Sequence, residues 1–538
     1  MIKRLLLLCL LPAFLLSSPN LFSQNSDNLK FVARADPASP SPNWKYSEVT
    51  GAGDLAIIGG FTSNTHVWIY DVSNKTQPVL LSAIPINTPS WDVQVHGRYL
   101  FIALTGRMEW YDIIDPTKPQ LVNRFSPTPA INPHTFFVAG NTLYVADYAT
   151  ANGIRIFNIA DKKNPKELAT ISEGTWSIHD MTIIRNKLYG AWISGLGGLL
   201  LSDVTNPAKP KELVRIHYPN AATHNAWPTE DEQYILTTDE VAPTRNNLKI
   251  WEARTPGRLT QVAEFQVSGT SSPIHNVYVR GRYAYMSYYC SDMRIVDIAD
   301  PRHPQEAGFY DLNGSSACSR FNSNWGVYPY ADLLYASDMQ NGLYVLEFAN
   351  HVAANLSGLV IDAVTNKPIH GAMVYFRDEY PTTCTNKTGD FDIPWFKNDT
   401  VAVVTEALGY LVDTTTAITS AINKTTATIR LKRLSTAIAQ PQDAPADFEL
   451  FSSYPNPVSS LRSQIVFRLP VRAEVQLEVY NIYGQRVRQL WRATLEPGEH
   501  RFAWDGADDA GKAVTAGVYI LRLRAGAFSS SRRMTVLR

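Results

Sequence analysis

Four histidines recur at nearly constant spacing: His134, His179, His224 and His275 stand 45, 45 and 51 residues apart. Each precedes a small polar residue, namely Thr135, Asp180, Asn225 and Asn276. Aligning the flanking segments puts Tyr46, Trp91 and Trp325 at the corresponding places elsewhere in the chain. Imidazole ligates zinc, copper, iron or nickel and exchanges protons near neutral pH. Three readings of this arc are open. The histidines can pack and hydrogen-bond within a repeat, which suits the Trp and Tyr at the same place. They can hold a transition metal, with Asp147 and Asp239 completing the shell. Or they can touch a ligand directly. Asp147, Asp239, Glu240 and Asp338 end strands expected to return to the same face.

Other catalytic spacings are absent. The sequence has no G-x-S-x-G elbow, no H-E-x-x-H and no phosphate-binding loop, so no catalytic and no cofactor-binding residue is identified. Ser194-Gly195-Leu196-Gly197-Gly198 reads as a loose turn. The chain carries 49 basic and 49 acidic residues. That balance gives no footprint for nucleic acid or anionic lipid.

The elements that must position the histidines come from a repeat. The segments VWIYDVSNKTQPVLLSAI, MEWYDIIDPTKPQLVNRF, IRIFNIADKKNPKELATI and MRIVDIADPRHPQEAGFY are four of its copies. Anchor residues Asp71, Asp112, Asn158, Asp203, Glu252, Asp297 and Glu347 mark seven copies, the last one short. Pro78, Pro119, Pro165, Pro210 and Pro304 follow the anchors by seven residues, fixing a turn between two strands. The anchor carboxylates are expected to cap that turn. A second hairpin precedes each pair, as in HTFFVAGNTLYVADY. Four short strands per unit of about 45 residues is the arithmetic of a β-propeller. The expected fold is all-β: a seven-bladed propeller over 28–350, then two small immunoglobulin-like β-sandwiches. Leu29–Arg34 is expected to pair with Leu343–Phe348 and close the ring, because an open ring leaves two bare edges.

The repeat resembles the LVIVD repeat, with Arg294-Ile295-Val296-Asp297-Ile298 the nearest copy, and the whole of 28–350 resembles the choice-of-anchor B family of bacterial surface proteins. That resemblance implies location and architecture and no reaction. Residues 355–432 contain Gly358, the Asn366-Lys367-Pro368-Ile369 turn and Asn386-Lys387-Thr388-Gly389-Asp390-Phe391, and resemble the carboxypeptidase regulatory-like domain, a spacer or binding platform. Residues 435–447 read as a polar linker. Residues 448–538, with Tyr454-Pro455-Asn456-Pro457 and Gly517-Val518-Tyr519, resemble the type A sorting domain of the type IX secretion system of Bacteroidetes. Their architecture is also similar to the immunoglobulin-like part of flagellar hook-capping proteins. The implied partner of 448–538 is the type IX machinery.

Lys3 and Arg4 precede an apolar run from Leu5 to Leu16, which reads as a signal peptide over 1–23. The run is too short to span a bilayer, and no later stretch approaches one. Export to the periplasm, then secretion or display on the outer membrane, is the expected localisation. That compartment permits disulfides. Cys290 with Cys318 is the favoured pair, Cys384 being left over, with three free thiols as the alternative. The leading expectation is a non-enzymatic binding protein whose propeller face takes a glycan, peptide or protein. The alternative is a metal-dependent hydrolase or lyase built on the histidine arc.

Overall fold

The structure, a computed structural model, describes residues 26–37, 44–148, 153–172, 178–195, 197–241, 247–312, 321–330, 333–350, 356–377, 382–393, 399–419, 425–434, 448–451, 463–510, 512–526 and 528–536. The expected signal peptide (1–23), the linker (435–447), Cys318 and Tyr454–Pro457 lie outside the described residues. Every regular element among the described residues is a strand. Among the described residues, no helix is long and apolar enough to cross a membrane. The chain divides into two compact units at Leu434 and Ser435.

The described residues between 26 and 348 of the first unit build seven antiparallel sheets. Their innermost strands are Tyr46–Ala52, Ser90–His96, Pro133–Ala139, Ile178–Ile184, Thr223–Pro228, Val277–Arg280 and Asn324–Tyr330. Each contacts the next, and the last contacts the first, so the sheets form a closed circle. Burial follows the radius. Thr223–Pro228 is buried throughout, whereas the outermost strand Lys211–Ile216 is exposed or half-buried at every residue. Inner strands therefore lack the apolar–polar alternation of a one-faced sheet, because a neighbouring sheet covers each side.

Leu29–Ala35 pairs antiparallel with Gly342–Phe348, from Leu29 opposite Phe348 to Ala35 opposite Leu343. The start of the chain thus supplies the outer strand of the last sheet. Just before it, Ser26–Asp27 adds to Gln305–Tyr310 of the preceding sheet. Asn28, at φ 57°, makes the kink between the two and donates its side-chain N–H to the Ala307 carbonyl at 2.9 Å. The anchor residues cap their turns: Asp71, Asp112, Asn158, Asp203 and Asp297 each accept the backbone N–H two residues on, at 2.7 to 3.0 Å.

A belt of side-chain bonds ties the inner strands together. Asp92 accepts the Phe136 N–H at 3.1 Å, and the Thr135 hydroxyl donates to the His179 carbonyl at 2.6 Å. Asn225 donates to Asp180 at 2.5 Å, and Asn276 donates to Glu48 at 2.7 Å. Glu48 crosses the seventh sheet to do so. Gly326 leaves it room, since a Cβ there would collide with the Glu48 carboxylate. Burial raises all three acids, and repulsion adds to it at two of them: Glu48 lies well above its ordinary value by burial and the Asp92 and Asp180 charges, Asp92 rises to about 8 by burial and the Asp180 charge, and Asp180 rises to about 6 by burial.

Residues 356–434 form a sandwich of two sheets. Leu356–Asp362 lies between Asp390–Ile393 and Thr425–Leu431, opposite a sheet of Thr382–Cys384, Met373–Phe376, Asp399–Glu406 and Asp413–Thr419. It is no loose spacer. Met373 and Cys384 belong to one buried apolar cluster with Ala52, Leu55 and Ile57 of the propeller. The Cys384 thiol lies 2.7 Å from the Ala52 carbonyl and forms no disulfide. Thr382 accepts the Gly97 N–H at 3.1 Å, and Thr383 hydrogen-bonds the Tyr330 hydroxyl, which in turn accepts the Gly53 N–H within the propeller. These contacts reach the turns at the far ends of the inner hairpins, opposite the end that carries the histidines.

The second unit is also a two-sheet sandwich. Glu449–Leu450, Ser463–Leu469 and Gly498–Trp504 form one sheet, and Arg486–Leu495, Ala473–Asn481, Gly517–Ala525 and Phe528–Val536 form the other. Buried Trp504, Phe467, Leu477 and Leu521 fill the space between them.

Two outcomes follow from this packing. Gly53 has φ +59°, and a Cβ there would overlap the backbone of Cys384. Gly53→Ala should destabilise the first unit by roughly 2–4 kcal/mol in denaturant unfolding, combining left-handed strain with overpacking. Asp92 binds its proton more tightly folded than unfolded, so its contribution is favourable at low pH and is lost between about pH 4 and 8. Asp92→Asn mimics the protonated form. Its melting temperature relative to the parent should therefore rise by a few degrees between pH 5 and pH 9, as read by thermal unfolding.

Candidate functional site

The inner strands share one irregularity. Ser90 pairs with Leu104 and Asp92 with Ala103, which leaves Trp91 as an extra residue. The same break isolates His179, His224 and Trp325. In the third sheet His134 and Thr135 together oppose Ala146. His275 lies just ahead of its strand and donates its N–H to the Ser287 carbonyl at 2.8 Å. A β-bulge re-aims the extra side chain and bends the strand. Here the bulged residues turn into the channel, whose lining includes Trp91, His134, His179, His224, His275 and Trp325.

The four imidazoles stand side by side. Ring centres are 4.2 Å apart for His134 and His179, 3.8 Å for His179 and His224, and 4.2 Å for His224 and His275. Trp91 follows at 5.0 Å from His134, and Trp325 at 4.6 Å from His275. Phe61 closes the circle, 5.2 Å from Trp91 and 5.0 Å from Trp325. The sequence alignment expects Tyr46 at this place, and the structure corrects it. In the first sheet Ser47 and Glu48 oppose Gly59, so the small Ser47 occupies the bulge and Phe61 fills the gap from beyond the second strand. Tyr46 instead packs on Trp68 and donates to Asp36 at 2.5 Å. No spacing signal marks Phe61, because it does not stand at the repeated position.

Burial makes the imidazolium form costly here. It lowers His134 to about 4 and His275 to about 3, and drives His179 and His224 well below the usual range, with repulsion between neighbours adding to it. The rings are neutral at physiological pH, each with one nitrogen able to accept. His275 uses Nδ1 on the Trp325 carbonyl at 2.7 Å. His134 Nδ1, His179 Nδ1 and both nitrogens of His224 are buried without a hydrogen-bond partner.

The carboxylates expected beside the arc are engaged elsewhere. Asp147 accepts the Asn132 N–H at 2.9 Å and lies 3.7 Å from Arg155. Asp239 pairs with Lys249 and accepts from Tyr218 at 2.8 Å and Ala222 at 3.0 Å. Glu240 is the acid that faces the imidazoles. Its Oε2 is 3.8 Å from His224 Nε2, and its Oε1 accepts the Tyr289 hydroxyl at 2.7 Å. Alternation along the chain explains the difference, since neighbouring side chains point to opposite sides. Below the ring lie the belt acids Glu48, Asp92 and Asp180. Of these, Glu48 and Asp92 go unmarked by the histidine spacing, although they occupy the place after the bulge. Cys290 takes part in a disulfide; its expected partner, Cys318, lies outside the described residues.

At the rim, Trp44 is 40% exposed, packs 5.8 Å from Phe61 and donates to Asn322 at 2.5 Å. Trp91 donates to the Thr105 hydroxyl at 3.1 Å. Trp227, by contrast, packs at a tilt against Tyr278, with ring centres 4.5 Å apart, further down the inner strands.

A family model described as LVIVD repeat matches residues 89–126 and 274–312, the second and sixth sheets. A model described as FlgD Ig-like domain matches residues 460–527. No curated protein matches the chain. Among solved structures, the chain is similar to the β-propeller domain of Cps50 (Swd1) from Myceliophteria thermophila, at 13% identity over 58% of this chain and 99% of that one, with a TM-score of 0.43. It is likewise similar to the computationally designed Ika8 protein, at 9% identity over 59% of this chain and 99% of that one, with a TM-score of 0.43. The chain is thus an all-β protein that carries LVIVD repeats and a C-terminal segment similar to the FlgD immunoglobulin-like domain.

Proposed function

We propose that this chain is an exported interaction protein of the choice-of-anchor B type, secreted or displayed on a Bacteroidetes-like cell surface. Its first part is read as a seven-bladed propeller, supported by seven sheets whose inner strands meet in a circle. One observation carries the binding role. A closed ring of seven aromatic and imidazole side chains frames one end of the channel, while the sandwich covers turns at the other end. Trp44, Phe61 and Trp91 extend that ring to the rim as an apolar platform. Flat apolar rings with N–H donors stack on sugar faces and on peptide side chains. A glycan or peptide docked there would meet the platform first and the neutral imidazoles behind it.

The export part of the reading rests on the charged and apolar leader and on the sorting-domain resemblance of 448–538, where the FlgD-like match falls. The tail is a receptor-read address in this account, and the propeller is the cargo.

The binding role is tested by screening the purified mature protein against glycan and peptide arrays. Trp44→Ala with Trp91→Ala should weaken whatever binds by about tenfold or more, in line with loss of central aromatic anchors. Equal binding by the doubly substituted protein, with its melting temperature unchanged, would falsify the placement of the ligand at this mouth. For export, deletion of 448–538 in a host with a type IX apparatus should leave the protein in the periplasm. Release of the shortened chain at the parental level would overturn the sorting role.

A further inference from the structure

The belt and the ring differ in how completely their polar atoms are satisfied. Belt acids find N–H and amide donors from neighbouring strands. In the ring, four imidazole nitrogens on three adjacent histidines have none. A buried polar atom left unpaired costs about 1–3 kcal/mol, so a run of them on one face marks a place where something else belongs. A purely packing role does not need these nitrogens, and the tryptophans and phenylalanine of the same ring pack without them.

The orphaned nitrogens are grouped. One ligand atom each from His179, His224 and Glu240 lies within 4.8 Å of the others, and all three residues are buried. His224 Nε2 and Glu240 Oε2, at 3.8 Å, are too far apart for a hydrogen bond. Two ligands held about 2.1 Å from a zinc ion at the tetrahedral angle are about 3.4 Å apart. The observed gap therefore closes onto an ion with a shift of a few tenths of an ångström. Glu240 is already aimed, because Tyr289 holds its other oxygen at 2.7 Å. Such an outer hydrogen bond to a ligating carboxylate is the usual companion of a metal site. His275 is held differently, with Nδ1 on the Trp325 carbonyl.

We propose that His179, His224 and Glu240 bind a divalent first-row transition ion at the mouth of the channel, with Tyr289 as a positioning residue for Glu240. Two imidazoles and one carboxylate suit zinc or copper(II) rather than the oxygen-only shells of magnesium or calcium. Three protein ligands leave a coordination position toward the channel. The His134 ring centre stands 4.2 Å from that of His179.

The test uses the full mature chain, stripped with chelator and titrated with zinc chloride alone by calorimetry, with metal content measured after dialysis. One equivalent of zinc per chain is expected. Glu240→Gln keeps the size of the side chain and should weaken zinc at least about tenfold, as should His224→Asn. Tyr289→Phe should cause a smaller loss, also read by zinc affinity. The exposed His303→Ala serves as the control and should bind like the parent. Both ligand variants must retain the parental circular dichroism spectrum. His179→Asn provides a third variant should one of them unfold. Zinc below a tenth of an equivalent in the folded parent overturns the proposal, as do folded variants that bind as tightly as the parent. The titration contains no glycan or peptide, so its failure leaves the mouth-binding reading standing, and failure of the arrays leaves the metal site standing.

Discussion

The pairing of Leu29–Ala35 with Gly342–Phe348 is the bond on which the rest of the molecule depends. Sheets arranged around an axis leave two unpaired edges unless the two ends of the chain share one sheet. Here the first strand in sequence becomes the outer strand of the last sheet, and Ser26–Asp27 reaches one sheet further back. With the circle held at this seam, the inner strands are forced against one another around a narrow channel. Residues separated by more than two hundred positions, such as Glu48 and Asn276, then meet at hydrogen-bond distance.

A crowded axis imposes its own chemistry. The bulge at the start of the inner strands sends a side chain inward, and there is room for only one layer of rings at that level. The next residue in each strand must be small or able to bond sideways. Asp92, Thr135, Asp180 and Asn225 meet that demand, and Gly326 yields its space to Glu48. Burial then separates the two layers electrostatically. It holds the imidazoles neutral above and keeps the carboxyl groups protonated further up the pH scale below. Two layers of titratable groups can thus share one channel without a large net charge.

The two ends of the channel are unlike. The sandwich of residues 356–434 meets the hairpin turns around Gly53 and Gly97 through a shared apolar cluster and hydrogen bonds, which makes it part of the propeller unit. The histidine end keeps Trp44 partly exposed at its rim. A ligand approaching that end meets aromatic surface, and unsatisfied nitrogen acceptors lie behind it.

The sequence by itself determined the all-β class, the strands and the turns. Those features are local: proline seven residues after an acidic anchor, and apolar residues on either side of a tight turn, act within a few positions. It also marked the four histidines, because bulged positions recur at the length of the repeat. The tertiary structure alone decided what those histidines face. Whether Asp239 or Glu240 points to them depends on one step of strand alternation at the end of a strand, which spacing cannot resolve. Phe61 completes the ring from outside the repeated position, and Tyr46 leaves it, because the bulge of the first sheet holds Ser47 and Glu48 instead. The docking of Cys384 on Ala52 was equally invisible, since a buried contact between distant segments leaves no periodic trace in either. Period reports what each unit shares, and the site is made where the units differ and the circle brings those differences together.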